Sequence, residues 1–348
     1  MRFRATIENA TTFYKIVQAL EKLQKRLIVR FTESDMHIIC DSEGNEGGIQ
    51  VWSNIRATSL FTDYRIQSNA GNQITVSLSS EALLNALRSP AGQSAANANS
   101  ALSDVETVMK LAKKNDQAVL SFEMNAISRT GGRVHVTHDV RIEVMKPQDV
   151  EHLAEPLCPE PDVHILLPPL AKLRTVVERL RVHADVVGLR ANRVGRLVLS
   201  VSTESVSTDV AWDGLNNPTM VRGPGIPSSQ TPSQAPSQLF HPSQQSQSQS
   251  QPQHAPQPHL QPQPRFNLEP QANEDEDEVA DPERTRLVGL LLSAKSMLKF
   301  LNCYVVSTTT IACICQNHCV ILYVYIGEVA DAGGVLTFYL PAVVGDDG

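Results

Sequence analysis

The stretch RFRATIENATTFYKIVQALEKL, residues 2–23, reads as a strand followed by a helix, and the same order returns later in the chain. One face of the predicted helix is apolar and carries Phe13, Ile16, Val17, Leu20 and Leu23. At a constant offset of 160 residues, the second copy carries Leu173, Val176, Val177 and Leu180. Three strand patterns follow each helix, and Trp52 and Trp212 end the match. We therefore expect a duplicated unit of strands and helices.

A second pair of matching stretches lies further along the chain. ITVSLSSEALLNAL, residues 74–87, matches VGLLLSAKSMLKFL, residues 288–301, at the larger offset of 214. The added length falls in residues 217–283, which are rich in Ser, Gln and Pro and contain an acidic run at 274–278. This segment lacks the apolar periodicity that offsets the entropy cost of folding. It is predicted to be a disordered insertion within the second copy. The acidic run is interpreted as its solubilising end, and the alternative is an autoinhibitory segment that folds over a basic surface of the protein.

The repeat and the insertion together predict two similar domains. The first is expected to span residues 1–145, and the second residues 163–216 and 284–348. Residues 146–162 hold four prolines and five acidic residues, which is typical of an interdomain connector. Strand-rich, mostly antiparallel halves with two helices on one face each belong to the α+β class.

The helices carry positive charge although the whole chain has a formal net charge of −7. A basic surface without interleaved aromatic side chains suits sequence-independent contact with duplex phosphates. The simpler interpretation is that these cations only solvate exposed helix faces. The candidate phosphate-contacting residues are Lys15, Lys22, Lys25 and Arg26 on the first predicted helix, Arg88 on the second, Lys172, Arg174, Arg179 and Arg181 on the third, and Lys295 and Lys299 on the fourth. The spacing of Lys15, Lys22 and Lys25 predicts one lysine stripe opposite the apolar face of the first helix.

The stretch IACICQNHCVILYVYI, residues 311–326, has the residue types of a zinc site in Cys313, Cys315, His318 and Cys319. A two-residue turn at Asn317 and His318 would place Cys319 on the opposite face of a hairpin from the other two cysteines. The three sulfurs would then not converge, so no metal is expected. A zinc-dependent nucleic-acid enzyme is the alternative that this cluster leaves open.

Other features favour a binding protein over an enzyme. The sequence contains no GxxxxGK, GxGxxG, GxSxG or HExxH motif, and no cofactor is expected. Thr137, His138 and Asp139 resemble a catalytic triplet, but successive strand residues face opposite sides. No signal segment or membrane span is expected from the apolar runs. Six irregularly spaced cysteines then predict reduced thiols in the cytosol or nucleus.

Several stretches resemble one family, the Hus-type subunit of the nine-one-one DNA-damage checkpoint clamp. They are MRFRATIEN, HIICDSEGNEGGIQVW, ITVSLSSEALLNALRS, VHVTHDVRIEVM and EPLCPEPDVHILLP. The resemblance implies the PCNA-like sliding-clamp fold, with sheets outside and helices lining a central hole. It implies a nuclear, non-enzymatic subunit of a heterotrimeric ring with Rad-nine-type and Rad-one-type subunits. An ATP-dependent clamp loader would place the ring around double-stranded DNA, where it would serve checkpoint kinase activation and DNA repair enzymes.

By the same resemblance, neighbouring subunits join through edge strands. The implied interface residues are His135, Thr137, Asp139, Arg141, Glu143, Val206, Thr208, Val210 and Trp212. A replicative, homotrimeric clamp of the PCNA kind is the alternative within this fold.

The insertion also holds seven Ser-Gln pairs, a sequence preferred by the checkpoint kinases that such a clamp serves. Phosphorylation would add negative charge to the insertion, whereas the alternative is a drifting repeat in an unselected loop. The candidate phosphosites are Ser229, Ser233, Ser237, Ser243, Ser246, Ser248 and Ser250.

Overall fold

A computed structural model describes residues 1–41, 48–92, 102–221, 265–267, 281–329 and 332–343. The strands of the first half are β1 Arg2–Ile7, β2 Arg26–Phe31, β3 Asp35–Cys40, β4 Gln50–Arg56, β5 Phe61–Gln67, β6 Ile74–Ser79, β7 Leu102–Lys114, β8 Gln117–Ser128 and β9 Arg133–Val144. Its helices are α1 Ala10–Glu21, α2 Ala57–Leu60 and α3 Ser80–Ala91. The short helix α4 Pro147–Glu151 follows β9.

The second half repeats this order. Its strands are β10 Val163–Leu166, β11 Val186–Ala191, β12 Leu197–Ser202, β13 Ser207–Trp212, β14 Thr219–Val221, β15 Arg265–Asn267, β16 Val288–Ser293, β17 Thr309–Cys315, β18 Cys319–Ile326 and β19 Gly334–Pro341. Its helices are α5 Leu170–Leu180, α6 Pro282–Thr285, α7 Ala294–Leu301 and the 3-10 helix Asn302–Val305. No helix in the described part of the chain is long and apolar enough to cross a bilayer.

Every strand pair in the described residues is antiparallel, as the sequence predicted. One series of neighbouring strands is β5-β1-β7-β8-β9, and the end of β9 crosses to pair with β6. From there the order continues as β6-β2-β3-β4-β19-β18-β17-β10. The β4 and β19 pair joins the two halves through backbone hydrogen bonds, while β13-β12-β11-β16 form a separate sheet.

The repeat is accurate in some elements and shifted in others. β11 follows β2 at the predicted offset of 160, and β16 follows β6 at the offset of 214. The tryptophans, however, are not equivalent. Ile39 lies opposite Trp52, whereas Ser200, the counterpart of Ile39 in the strand register, lies opposite Asp209. Between the last paired residues, the turn after β11 has five residues, 192–196, and the turn after β2 has four, 32–35. The connection from β12 to β13 is shorter than that from β3 to β4, so the match of the tryptophans in the sequence was misleading.

Two apolar layers lie on the two faces of the sheet around β18. Val320, Leu322 and Val324 belong to the core cluster that includes the buried faces of the long helices. The alternate residues of the same strand, among them Tyr323 and Tyr325, belong to a second cluster on the opposite face. The helices therefore cover one face, and we call the other face, with its aromatic cluster, the outer face.

Part of the predicted insertion is ordered, so the interval 217–283 was too wide. β14 pairs with β15, and Val221 lies opposite Arg265. Phe266 is 8% exposed and packs on the outer face, with its ring centroid 5.5 Å from that of Tyr323 and 5.7 Å from that of His164. The buried aromatic side chain gives β15 an apolar anchor. All seven Ser-Gln pairs and the acidic run lie outside the described residues.

Candidate DNA-facing helices and subunit edges

The four long helices form one layer. α1 packs on α3, α5 packs on α7, and α1 also contacts the 3-10 helix that continues α7. Three of these helices have a side-chain cap at the N-terminus. Asn9, Ser79 and Ser293 each accept a hydrogen bond from a backbone N–H in the first turn of α1, α3 and α7, respectively. The apolar stripes predicted from the repeat face the sheets, and the opposite faces of the helices are open to solvent.

Most of the predicted cations are exposed, but three of the four assigned to the first helix lie beyond it. α1 ends at Glu21, Lys22 is its C-cap residue, Lys25 lies in the following turn, and Arg26 opens β2. The predicted lysine stripe on α1 is therefore wrong. The chain leaves the helix there because the Ser80 N–H donates to the Lys25 carbonyl at 2.9 Å, which ties the turn to the start of α3.

Arg26 and Arg174 make specific side-chain contacts. Arg26 donates from Nη2 to Ser77 Oγ at 3.0 Å and to Glu143 Oε2 at 3.1 Å, so it bridges strands and is not on a helix. Arg174 is half-buried; its Nε donates to Glu178 at 2.9 Å and its Nη1 to Asn302 at 2.7 Å. The bond to Asn302 positions α5 against the end of α7.

The remaining candidates lie on or next to the helix layer. Lys299 is half-buried. The exposed ones are Lys15, Lys22, Lys25, Arg88, Lys172, Arg179, Arg181 and Lys295, of which Arg181 is the C-cap residue of α5.

The two candidate interface strands expose regular backbone edges. β13 pairs only with β12 among the described strands. The Thr203 N–H donates to the Val206 carbonyl at 2.8 Å, and the alternation of antiparallel bonding then directs the backbone of Val206, Thr208, Val210 and Trp212 toward β12. The peptide groups of Ser207, Asp209 and Ala211 therefore point to the open edge.

The same alternation defines the open edge of β9. The Ser128 N–H donates to the Gly132 carbonyl at 2.8 Å, so the even-numbered residues of β9 bond to β8. The odd-numbered residues face the other way. Met145 confirms this phase, because its N–H donates to the Thr75 carbonyl beside β6 at 3.0 Å. From Arg133 to Arg141 that side has no partner strand in the described part of the chain.

Other strand edges are covered or irregular. On β16, the carbonyls of Gly289 and Leu291 accept from the backbone N–H groups of Asn317 and Val343. β10 is bordered by Asn216 and Asn217, which bond to its backbone. β5 contains a register shift against β1 and a left-handed residue, Asp63, at φ +47°. β9 and β13 thus offer the longest regular open edges among the described residues.

The Thr137, His138 and Asp139 triplet does not converge. His138 Nε2 lies 3.3 Å from Ser89 Oγ, on the side of α3. Asp139 accepts from Lys114 Nζ at 2.7 Å, and this hydrogen bond lowers the pKa of the Asp139 carboxyl. Thr137 Oγ1 lies 3.1 Å from His135 Nε2 on the exposed face of β9. Each residue thus has its own local partner.

The predicted cysteine register is wrong. The turn between β17 and β18 has three residues, with Asn317 in a left-handed conformation at φ +56°, so Cys315 lies directly opposite Cys319. Cys313, Cys315 and Cys319 therefore share the outer face. Even so, no three Cys, His, Asp or Glu side chains within the described ranges are arranged to hold a metal ion.

Comparisons with known proteins agree on one family and one fold. The sequence profile described as Hus1-like protein matches residues 1–344. The chain is 31% identical to checkpoint protein hus1 of Schizosaccharomyces pombe over 345 residues, covering 99% of this chain and all of that protein. It is 30% identical to checkpoint protein HUS1 of Homo sapiens over 224 residues, covering 63% of this chain and 75% of the human protein.

A solved structure shows the fold. The crystal structure of Proliferating Cellular Nuclear Antigen from Entamoeba histolytica aligns with a TM-score of 0.58 at 13% sequence identity. The alignment covers 98% of this chain and 99% of that one. At this identity the likeness establishes the sliding-clamp architecture, and it agrees with the duplicated α+β unit predicted from the repeat.

Proposed function

The chain belongs to the Hus1-like protein family and is a subunit of the nine-one-one checkpoint clamp, and we propose that it closes a heterotrimeric ring around double-stranded DNA. Its neighbours in the ring are the Rad-nine-type and Rad-one-type subunits. An ATP-dependent clamp loader places the ring on DNA in the nucleus, where it acts as a scaffold for checkpoint kinase activation and DNA repair enzymes. Membership in this family disfavours a replicative homotrimer and a zinc-dependent enzyme.

The observation that carries the ring assembly is the pair of open edges on β9 and β13. A strand edge with unpaired N–H and carbonyl groups is a template for a strand from another chain. Because other parts of the chain already bond to the edges of β16 and β10, β9 and β13 are the best available sites for two neighbours. Two interfaces per subunit are what a closed ring requires.

The helix layer supports the proposed DNA contact. Exposed Lys15, Lys172 and Arg179 extend from helices of both halves on the side opposite the packed face. A layer of flexible cations contacts phosphates without reading bases. We propose that this layer lines the central hole, with Arg174 contributing by holding α5 in place.

The composition of the purified complex tests this function. When the chain is produced together with its Rad-nine-type and Rad-one-type counterparts, native mass spectrometry is expected to show one copy of each. The chain produced alone is expected to remain outside a ring-sized trimer, because its own β9 and β13 edges are matched to different neighbours. A stable trimer of this chain alone would contradict the proposal and restore the replicative alternative.

A further inference from the structure

Three cysteine side chains meet where the segment before β10 crosses the outer face. Cys158 and Cys319 are 161 positions apart in the sequence, yet their Sγ atoms lie 3.5 Å apart. Cys315 is the direct cross-strand neighbour of Cys319, and its Sγ donates to the Pro159 carbonyl at 3.4 Å. The ring-clamp function proposed above uses none of these thiols.

Contacts made by residues before and after Cys158 in the chain hold its sulfur atom close to that of Cys319. The Tyr339 hydroxyl donates to Glu155 Oε1 at 2.6 Å. The Gln316 N–H donates to Asp162 Oδ2 at 2.8 Å, and Leu153 packs on the outer-face cluster together with Cys158. The crossing segment is thus anchored before and after Cys158, which keeps the two sulfur atoms close without a covalent bond.

Exposure distinguishes Cys158 from the other thiols. Cys158 is half-buried, whereas Cys319 is 5% exposed and Cys315 is 1% exposed. The hydrogen bond from the Cys319 thiol lowers the pKa of Cys158, which favours the nucleophilic thiolate form. Cys40 and Cys303 are fully buried, and burial raises the pKa of each. Oxidants in water are therefore expected to react first at Cys158.

We propose that Cys158 and Cys319 are an oxidative modification site that forms a reversible disulfide with hydrogen peroxide. The Cys158 sulfur attacks one peroxide oxygen, the O–O bond breaks, and a sulfenic acid and one water result. Hydrogen bonds to Cys158 and Cys315 raise the pKa of Cys319, so this sulfur keeps its proton until it attacks. As the Cys319 sulfur attacks the Cys158 sulfur, its proton passes to the departing hydroxyl, the S–O bond breaks, and a second water leaves. The two thiols lose two electrons and two protons in total, and the peroxide accepts both.

The disulfide would attach the crossing segment, residues 153–160, to the hairpin formed by β17 and β18. Sulfur atoms in a disulfide are about 2.05 Å apart, so the crossing segment must approach the sheet by roughly 1.5 Å. Because disulfides in reducing compartments are usually transient, the bond is expected to be reversed by cellular thiols. Its structural effect is to reduce the motion of residues 153–160 relative to the second half.

Peptide mapping of the oxidised full chain tests the proposal. After treatment with hydrogen peroxide, alkylation and digestion without reductant, mass spectrometry is expected to find one linked pair of peptides holding Cys158 and Cys319. Its mass is lower than the sum of the two peptides by two hydrogen atoms, and reductant separates it. Cys40 and Cys303 are expected to be recovered as alkylated thiols from the same sample.

Variants check the assignment. Cys158→Ser is expected to abolish the linked pair, whereas the control Cys303→Ala leaves it unchanged. Hydrogen exchange of residues 153–160 is expected to slow on oxidation of the unmodified chain and to recover with reductant. Recovery of Cys158 only as sulfinic or sulfonic acid, or a linked pair of Cys315 and Cys319 instead, would overturn the proposal, and neither result depends on the clamp function.

Discussion

Replacing Ala211 with proline is expected to open the ring at one interface while the chain stays folded. The Ala211 N–H faces the open edge of β13, so proline removes no bond to β12. It does remove a donor to a neighbouring strand and places its ring where that strand would lie. Leaving the neighbouring strand's carbonyl without this donor costs about 1–3 kcal/mol, which corresponds to an interface weakened about 5- to 150-fold.

The matched variant on the other edge is Thr137→Pro, because the Thr137 N–H faces away from β8. Each proline is expected to release one of the two neighbouring subunits and to leave the other bound, as measured by co-purification and analytical ultracentrifugation. Ala211→Ser and Thr137→Ser keep the backbone donor and serve as controls. If both prolines leave the complex intact, β9 and β13 are not the joining strands.

Reversing three charges on the helix layer is expected to weaken DNA binding with a distinctive salt dependence. In the assembled complex, Lys15→Glu, Lys172→Glu and Arg179→Glu combined remove three proposed phosphate contacts. Each lost contact lowers the slope of log affinity against log salt concentration by about one, so the slope is expected to fall by up to about three. Fluorescence anisotropy of a labelled duplex across a salt series measures this slope.

A control variant with the same change in net charge distinguishes the loss of phosphate contacts from the effect of net charge alone. Arg4→Glu, Arg65→Glu and Lys113→Glu alter exposed positions on β1, β5 and β7 of the same subunit. This triple variant is expected to keep the slope of the unmodified complex. Equal slopes for the two triple variants would mean that the helix cations only solvate exposed surface, which is the alternative that the sequence leaves open.

The helix layer could be predicted from the sequence except where α1 ends. Its apolar period continues to Leu23, which is indeed buried, but Leu23 reaches the core from a turn and not from the helix. In the sequence, this buried residue therefore looks like one more turn of α1. The hydrogen bond between Ser80 and Lys25 that fixes the turn joins residues 55 positions apart, and no local pattern reveals it.

One residue more or less in the turn decides which face of the sheet each side chain of the second strand occupies. The sequence does not specify the length of this turn. A two-residue and a three-residue turn after β17 are both compatible with Gln316, Asn317 and His318, yet they place Cys319 on opposite faces. The outer-face thiol pair was consequently missed. Phe266 was missed for another reason, since it is a single aromatic residue in a proline- and glutamine-rich segment without periodicity.

The resemblance to a clamp family identified the candidate interface strands, but it did not show which backbone groups are open. That information came from the Thr203 to Val206 and Ser128 to Gly132 hydrogen bonds, which set the phase of β13 and β9. The covered edges of β16 and β10 likewise depend on contacts between distant parts of the chain. Which strands pair depends on contacts between distant parts of the chain, so the periodicity of the sequence predicts where strands lie and not which strands they pair with.

Retention on circular DNA tests the central claim most directly, namely that the chain forms part of a ring that encircles the duplex. The assembled complex is loaded with its clamp loader and ATP onto a nicked circular plasmid and passed through gel filtration in salt high enough to remove protein held by charge alone. The complex is expected to stay with the plasmid and to be released when one restriction cut makes it linear. Equal retention before and after the cut would contradict encirclement.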